Sequence, residues 1–136
     1  KTYDIATAIE VLEHIPPNNL PEFVQAIADI INEKGYFILT VPHQNKPVND
    51  KHYQHFSSEK LSKILSPYFK DIDFIPFDSS SRFLNILSRM LGGRGNNFVI
   101  TNAGINNWYF KTYKKKFLYT ENEDECLRIA ALCRRK

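Results

Sequence analysis

The apolar positions follow two different rhythms along the chain. Residues 3–9 are apolar apart from Asp4 and Thr7, with no clean alternation. Such a run predicts a strand covered on both faces, as in α/β proteins. From Asn19 to Glu33 the rhythm changes, with Leu20, Phe23, Val24, Ile27, Ile30 and Ile31 forming one stripe of an amphipathic helix. Pro16-Pro17 stops the preceding turn from running into it. Asn19 is placed to cap the helix, with Glu22 three residues on. Lys34 and Gly35 are placed to close it, Gly35 as the left-handed residue after the last turn. Tyr36–Val41 is a second buried strand, stopped by Pro42. Strand, helix and strand with short joins predict a βαβ unit with a right-handed crossover. The two strands are then parallel, and Thr7–Glu10 and Val41–His43 face one crevice at the sheet edge where α/β proteins bind ligands.

Gln44–His55 is a polar loop that holds or adjoins His43, His52 and His55. A loop of this length at a strand's carboxyl end is more often a site or lid than a plain connector. Ser57 then caps a helix whose buried face is Leu61, Ile64, Leu65 and Phe69, with Phe56 set to pack on Leu61 and Pro67 marking the end. Ile72–Phe77 reads as a third strand. Ser81–Leu91 is amphipathic and ends at Gly92-Gly93; it is a core helix, or else a lid or a membrane-surface helix. An aromatic and basic segment follows (Trp108, Tyr109, Phe110, Tyr113, Phe117, Tyr119), then an acidic link, Glu121–Glu125, and a final strand from Cys126 to Cys133. There is no internal repeat.

Composition narrows this to one soluble domain over residues 1–136. The chain has 136 residues, 43% of them hydrophobic and 24% charged, enough for a single core. No run approaches the roughly 18 apolar residues of a membrane span. The net charge of +3 is too small to point to nucleic acid. Its local excess, at Lys111, Lys114, Lys115 and Lys116 and at the end Arg134-Arg135-Lys136, reads as solvated surface or as a contact for a phosphate-bearing partner. Cys126 and Cys133 fit no common metal spacing, and buried, reduced thiols in a cytoplasmic protein are expected. The chain opens on Lys1 almost inside a strand, from which an upstream portion is expected.

Chemistry concentrates at the end of the first strand, in Glu10, Glu13 and His14. If the chain turns helically after Ile9, these three project to one side. With His52 or His55 from the next loop they form an oxygen-and-nitrogen donor set suited to Mg²⁺, Mn²⁺ or Zn²⁺, through Glu10, Glu13, His14 and His52. The other reading has Glu10 or Glu13 lining a pocket while His14 orients the loop or acts as a general base. His43, His52 and His55 are further candidate bases.

Tyr3-Asp4-Ile-Ala-Thr-Ala-Ile-Glu-Val-Leu-Glu13-His14-Ile15 resembles the fourth-strand motif of class I S-adenosylmethionine-dependent methyltransferases. Gly35-Tyr-Phe-Ile-Leu-Thr-Val-Pro42 resembles their fifth strand, and His52-Tyr-Gln-His-Phe56-Ser57 the entry to the next helix. The resemblance implies an α/β, Rossmann-like methyltransferase sheet, of which this chain is the carboxyl-terminal half. It would hold strands four to seven, with Leu127–Lys136 as the antiparallel seventh. Residues 80–120 fall where such enzymes carry variable substrate or lid elements. The family's glycine-rich cofactor loop is not among these residues, and Gly92-Gly93-Arg-Gly95 is no substitute. A fragment of a longer enzyme, inactive by itself, is therefore expected.

The resemblance further implies methyl transfer to an O or N nucleophile of a small-molecule acceptor. Thr7, Ala8, Ile9 and Glu10 would lie near S-adenosylmethionine, and His14, His52 and His55 would be the catalytic candidates. The acidic–histidine spacing is also similar to that of two metal-using branches, ubiquinone-pathway O-methyltransferases and small-RNA methyltransferases. The alternatives are a non-catalytic interaction module with this fold, including peripheral membrane contact, and a metal-dependent O-methyltransferase acting on RNA. Nucleic acid is not the expected partner.

Overall fold

A computed structural model describes residues 1–79, 86, 90 and 102–136. Its elements are β1 (Tyr3–Ile9), α1 (Leu20–Ile30), β2 (Ile31–Pro42), α2 (Ser58–Leu65), β3 (Phe69–Ser79), α3 (Ala103–Lys116) and β4 (Cys126–Arg135). The strands form one sheet in the order β1-β2-β4-β3. β1 and β2 pair in parallel, Ile5 opposite Tyr36 through Ile9 opposite Thr40. β4 lies antiparallel between β2 and β3, so β3 runs with β1 and β2. The parallel βαβ unit and the inserted antiparallel strand are both as the sequence predicts.

Register explains where the core sits. Ala8 is opposite Leu39 and Leu39 opposite Ala131; Phe37 faces Cys133, and Val41 faces Ile129. All seven are buried on one face, where they join Leu20, Val24 and Ala28 of α1 and Leu61 and Leu65 of α2. Side chains alternate across a strand, so Ile5, Thr7 and Ile9 stand on the other face with Tyr36, Ile38 and Thr40. Ile5, Thr7, Ile9 and Tyr36 there are exposed. Among the described residues β1 is therefore an edge strand covered on one face rather than on both. Among the described residues α1 and α2 pack only on the core face.

The first helix differs from expectation at both ends. A 3₁₀ turn, Pro17–Asn19, delivers the chain to α1 already coiled, with Asn19 at φ −94°, ψ −8° and no side-chain cap bond. An N-cap needs an extended backbone for its side chain to reach the free amides, and Asn19 lacks it. At the other end Ile31 leaves the helix early because it pairs with Tyr3 and is buried in β2. Gly35 thus lies within β2 rather than capping a helix. Its lack of a side chain serves close approach: a Cβ there would stand 2.5 Å from Ile31 Cγ2 and 2.7 Å from the Asp4 carbonyl oxygen. Ser57, in contrast, caps α2 as predicted, its hydroxyl accepting from the Lys60 amide at 3.2 Å.

The third strand runs longer than Ile72–Phe77, and the last spans Cys126–Arg135. The aromatic–basic segment is the helix α3, capped by Asn102. The expected helix at 81–91 lies outside the described residues except for Ile86 and Met90. No helix among the described residues is long and apolar enough to cross a membrane. Cys126 and Cys133 are buried and unpaired, and burial pushes their thiols up to about 11 and about 12.

Candidate active site

The site begins where β1 stops. Glu10 takes a left-handed backbone (φ 53°) and turns the chain off the sheet while its amide still donates to the Thr40 carbonyl at 2.9 Å. The next residues form a single 3₁₀ turn, Leu12–His14. Leu12 is fully buried and anchors the turn, and Glu13 follows it inward with only 1% of its surface exposed. The polar loop closes over this turn: Tyr53 N–H donates to the Glu13 carbonyl at 2.8 Å, and Gln44 and Phe56 pair its two ends.

Three side chains converge there. Ligand-capable atoms of Glu13, His14 and His52 all lie within 4.8 Å of one another, with Glu13 Oε1 3.8 Å from His14 Nε2. The hydrogen bonds fix which nitrogens carry protons, since a carbonyl oxygen only accepts. His14 Nδ1 donates to the Lys51 carbonyl and His55 Nδ1 to the Lys46 carbonyl, both at 2.8 Å. In a neutral ring His55 Nε2 is then an acceptor, so His52 Nδ1 donates to it at 2.8 Å. In neutral rings His14 Nε2 and His52 Nε2 then each keep a lone pair, and that of His14 lies 3.8 Å from the Glu13 carboxylate. Burial, followed by His55, His14 and Lys46, lowers the His52 pKa and favours its neutral ring. Burial also raises Glu13, with help from Glu10, against its own backbone hydrogen bond and the charges of His14 and Arg128. Glu13 Oε2 is buried without a hydrogen-bond partner.

The other sequence-predicted residues divide. His55 has both ring nitrogens engaged and is buried, so it orients His52 rather than presenting a free nitrogen. His43 is buried elsewhere: its Nδ1 accepts from the Asn45 amide at 3.1 Å and its Nε2 donates to Glu123 at 3.2 Å. Glu10 stands apart from the tight triplet. Its carboxylate accepts from the Thr40 hydroxyl at 3.3 Å and lies 3.5 Å from Arg128 Nε. Ala8 points into the core, while Thr7 and Ile9 are exposed on the opposite face.

Sequence reasoning missed a polar group at the same sheet edge. Arg128 stands opposite Pro42 and Phe77 in the register, and its Nε lies between Glu10 and Asp78, the latter at 3.9 Å. Tyr113 of α3 donates to Asp78 at 2.9 Å, and burial together with that carboxylate pushes its phenol well above the ordinary range. The available signal was one arginine within the apolar run from Cys126 to Cys133. Glu123 was missed too; it accepts from Ser58 Oγ at 2.5 Å and Ser58 N at 2.8 Å as well as from His43.

This sheet, with a parallel βαβ unit and an antiparallel strand inserted beside it, is the Rossmann-like methyltransferase fold. Residues 1–88 match the sequence profile of the methyltransferase domain, and the chain belongs to that family. Among solved structures it is similar to an S-adenosylmethionine-dependent methyltransferase from Archaeoglobus fulgidus (TM-score 0.63, 14% identity), covering 99% of this chain and 60% of that one. It is also similar to phosphoethanolamine N-methyltransferase 2 from Haemonchus contortus, solved with S-adenosylmethionine (TM-score 0.52, 15% identity, 98% and 33% covered). A third is coclaurine N-methyltransferase with S-adenosylhomocysteine (TM-score 0.50, 17% identity, 99% and 48% covered). The chain thus spans between a third and three-fifths of the length of these proteins. No curated protein sequence matches it.

Proposed function

We propose that the protein carrying this chain transfers a methyl group from S-adenosylmethionine to an O or N nucleophile of a small-molecule acceptor, at the carboxyl edge of β1 and β2. Membership of the methyltransferase-domain family supports the reaction class. The observation that carries the site is the gathering of Glu13, His14 and His52 at that edge, with a lone pair left on each imidazole. The residues fit the cofactor on one side: the small side chain of Thr7 and the exposed face of Ile9 offer an open apolar wall next to the Glu10 carboxylate. When bound, the cofactor supplies an electrophilic methyl group on a sulfonium. Thr7, Ile9 and Glu10 would line it, His55 holds the His52 ring, and His52 Nε2 would take the acceptor's proton. The glycine-rich loop that would complete cofactor binding is not among these residues, so the 136-residue chain alone is expected to be inactive.

A second reading is favoured by one feature: a carboxylate buried this fully with an unpartnered Oε2 is costly unless something neutralises it. A divalent cation does so, and Glu13, His14 and His52 fit one by donor type and by their mutual distances within 4.8 Å. Bound there, it would orient and acidify an acceptor hydroxyl. Glu10, held by Thr40 and Arg128, would serve as an outer partner rather than a ligand.

The full-length protein, assayed for methyl transfer to a panel of hydroxyl and amine acceptors, tests both. His52→Asn is expected to lower kcat by about 10²–10⁴-fold under the general-base reading, with the parent protein indifferent to EDTA. Loss of activity in EDTA and its return with Mg²⁺, Mn²⁺ or Zn²⁺ selects the metal reading. Full activity of His52→Asn sinks both.

A further inference from the structure

Among the described residues, the helix α3 is built unlike α1 and α2. α1 and α2 each bury several residues in the core, whereas α3 buries none. Its inward side consists of half-buried Asn106, Tyr109, Thr112 and Tyr113, the last tied to Asp78. One exposed side carries apolar bulk and positive charge together: Ile105 is 39% exposed and Trp108, three residues on, 51%. Lys111 and Lys115 lie three and seven residues beyond Trp108 and share its face, while Phe110, 52% exposed, and Lys114 four beyond it lie further round the helix. Lys111, Lys114, Lys115 and Lys116 are all exposed, and the helix holds no acidic residue.

We propose that this outer face of α3 docks on an anionic lipid surface. Aromatic side chains exposed among lysines match the headgroup layer, where an indole ring sits at the boundary and each lysine gains from negative lipid. Single-stranded nucleic acid would also accept aromatic and basic groups, since bases stack on rings. An aliphatic group decides against it. Ile105, on the same face of α3 as Trp108, is exposed. Such a side chain gives hydrocarbon contact and no stacking platform. The carboxyl end of α3 packs at the carboxyl end of β3, where Phe117 and Leu118 carbonyls accept from Ser79 and Asp78. The inner side of α3, through Tyr113 and Asp78, adjoins the sheet edge that holds Glu10 and Arg128. The inference is independent of the reaction proposed above.

Vesicle co-sedimentation of the full-length protein tests it, with phosphatidylcholine alone compared with phosphatidylcholine containing phosphatidylglycerol. Binding is expected only with the anionic vesicles, falling as salt is raised. Replacing all four lysines with Gln is expected to weaken it at least about tenfold, at roughly fivefold per lysine in contact with the surface. Trp108→Glu is expected to abolish it; both variants change exposed positions and should keep the parent's circular dichroism. No sedimentation with anionic vesicles, or parental binding by the four-lysine variant, overturns the proposal. So does preferential binding of a single-stranded oligonucleotide through the same residues.

Discussion

Glu123 illustrates how one exposed-looking carboxylate organises residues far away in sequence. It lies in the acidic link before β4, yet it closes the first turn of α2 through Ser58 and fixes the tautomer of buried His43. Burial alone would raise its carboxyl; the Ser58 hydroxyl and amide and the His43 ring together hold it below the ordinary range. A depressed carboxylate pKa contributes stability that is fully present above the unfolded value, near 4.3, and is lost as pH falls through the folded one. Glu123→Ala is expected to cost about 1–3 kcal/mol at pH 7, since it strands the His43 and Ser58 donors. Denaturant titrations at pH 7 and pH 3 check this: the gap between parent and variant should narrow at pH 3, and an equal gap at both would refute the linkage. Nothing in the sequence pointed to Glu123, because its partners lie 65 and 80 residues away. Glu13 and His14, by contrast, were legible because adjacent polar residues interrupt an apolar run.

At the scale of elements, the sequence yielded strands and packing stripes more readily than boundaries. Residues 3–9 and 36–41 read as strands because their apolar character is local, and the parallel pairing follows from the helix between them. The limits of α1 did not follow from local pattern, since Asn19 arrives in a helical backbone and Ile31 is captured by tertiary pairing with Tyr3. Gly35 marks that capture. β1 approaches β2 so closely there that a methyl group would overlap both Ile31 and the Asp4 carbonyl. Gly35→Ala is expected to lower stability by about 1–3 kcal/mol as overpacking pushes the strands apart. Urea unfolding measures it, and an unchanged midpoint would mean that β1 does not depend on this contact. The same register explains the candidate site: Glu10 follows directly on Ile9, which pairs with Thr40, so the turn out of β1 leaves its carboxylate on the β2 edge.

Over the whole molecule, one face of the sheet holds the core and the other leaves β1 and β2 open, with the polar cluster at the carboxyl edge between them. The βαβ rhythm made the strand–helix–strand order and the carboxyl-edge cluster legible for residues 1–79, but it implied cover on both faces of β1, where Ile5 and Ile9 are exposed. It did not reach Arg128, Asp78 and Tyr113, whose convergence depends on β4 being inserted between β2 and β3. The proposed function puts cofactor contact on the open side of β1, and Ile9, 57% exposed, is the residue that can be changed there without disturbing the core. Calorimetric titration of the full-length protein and its Ile9→Asp variant with S-adenosylmethionine tests this most directly. Saturable binding by the parent and its loss in a folded Ile9→Asp variant is the expected result; no binding by the parent, or equal binding by both, would contradict it.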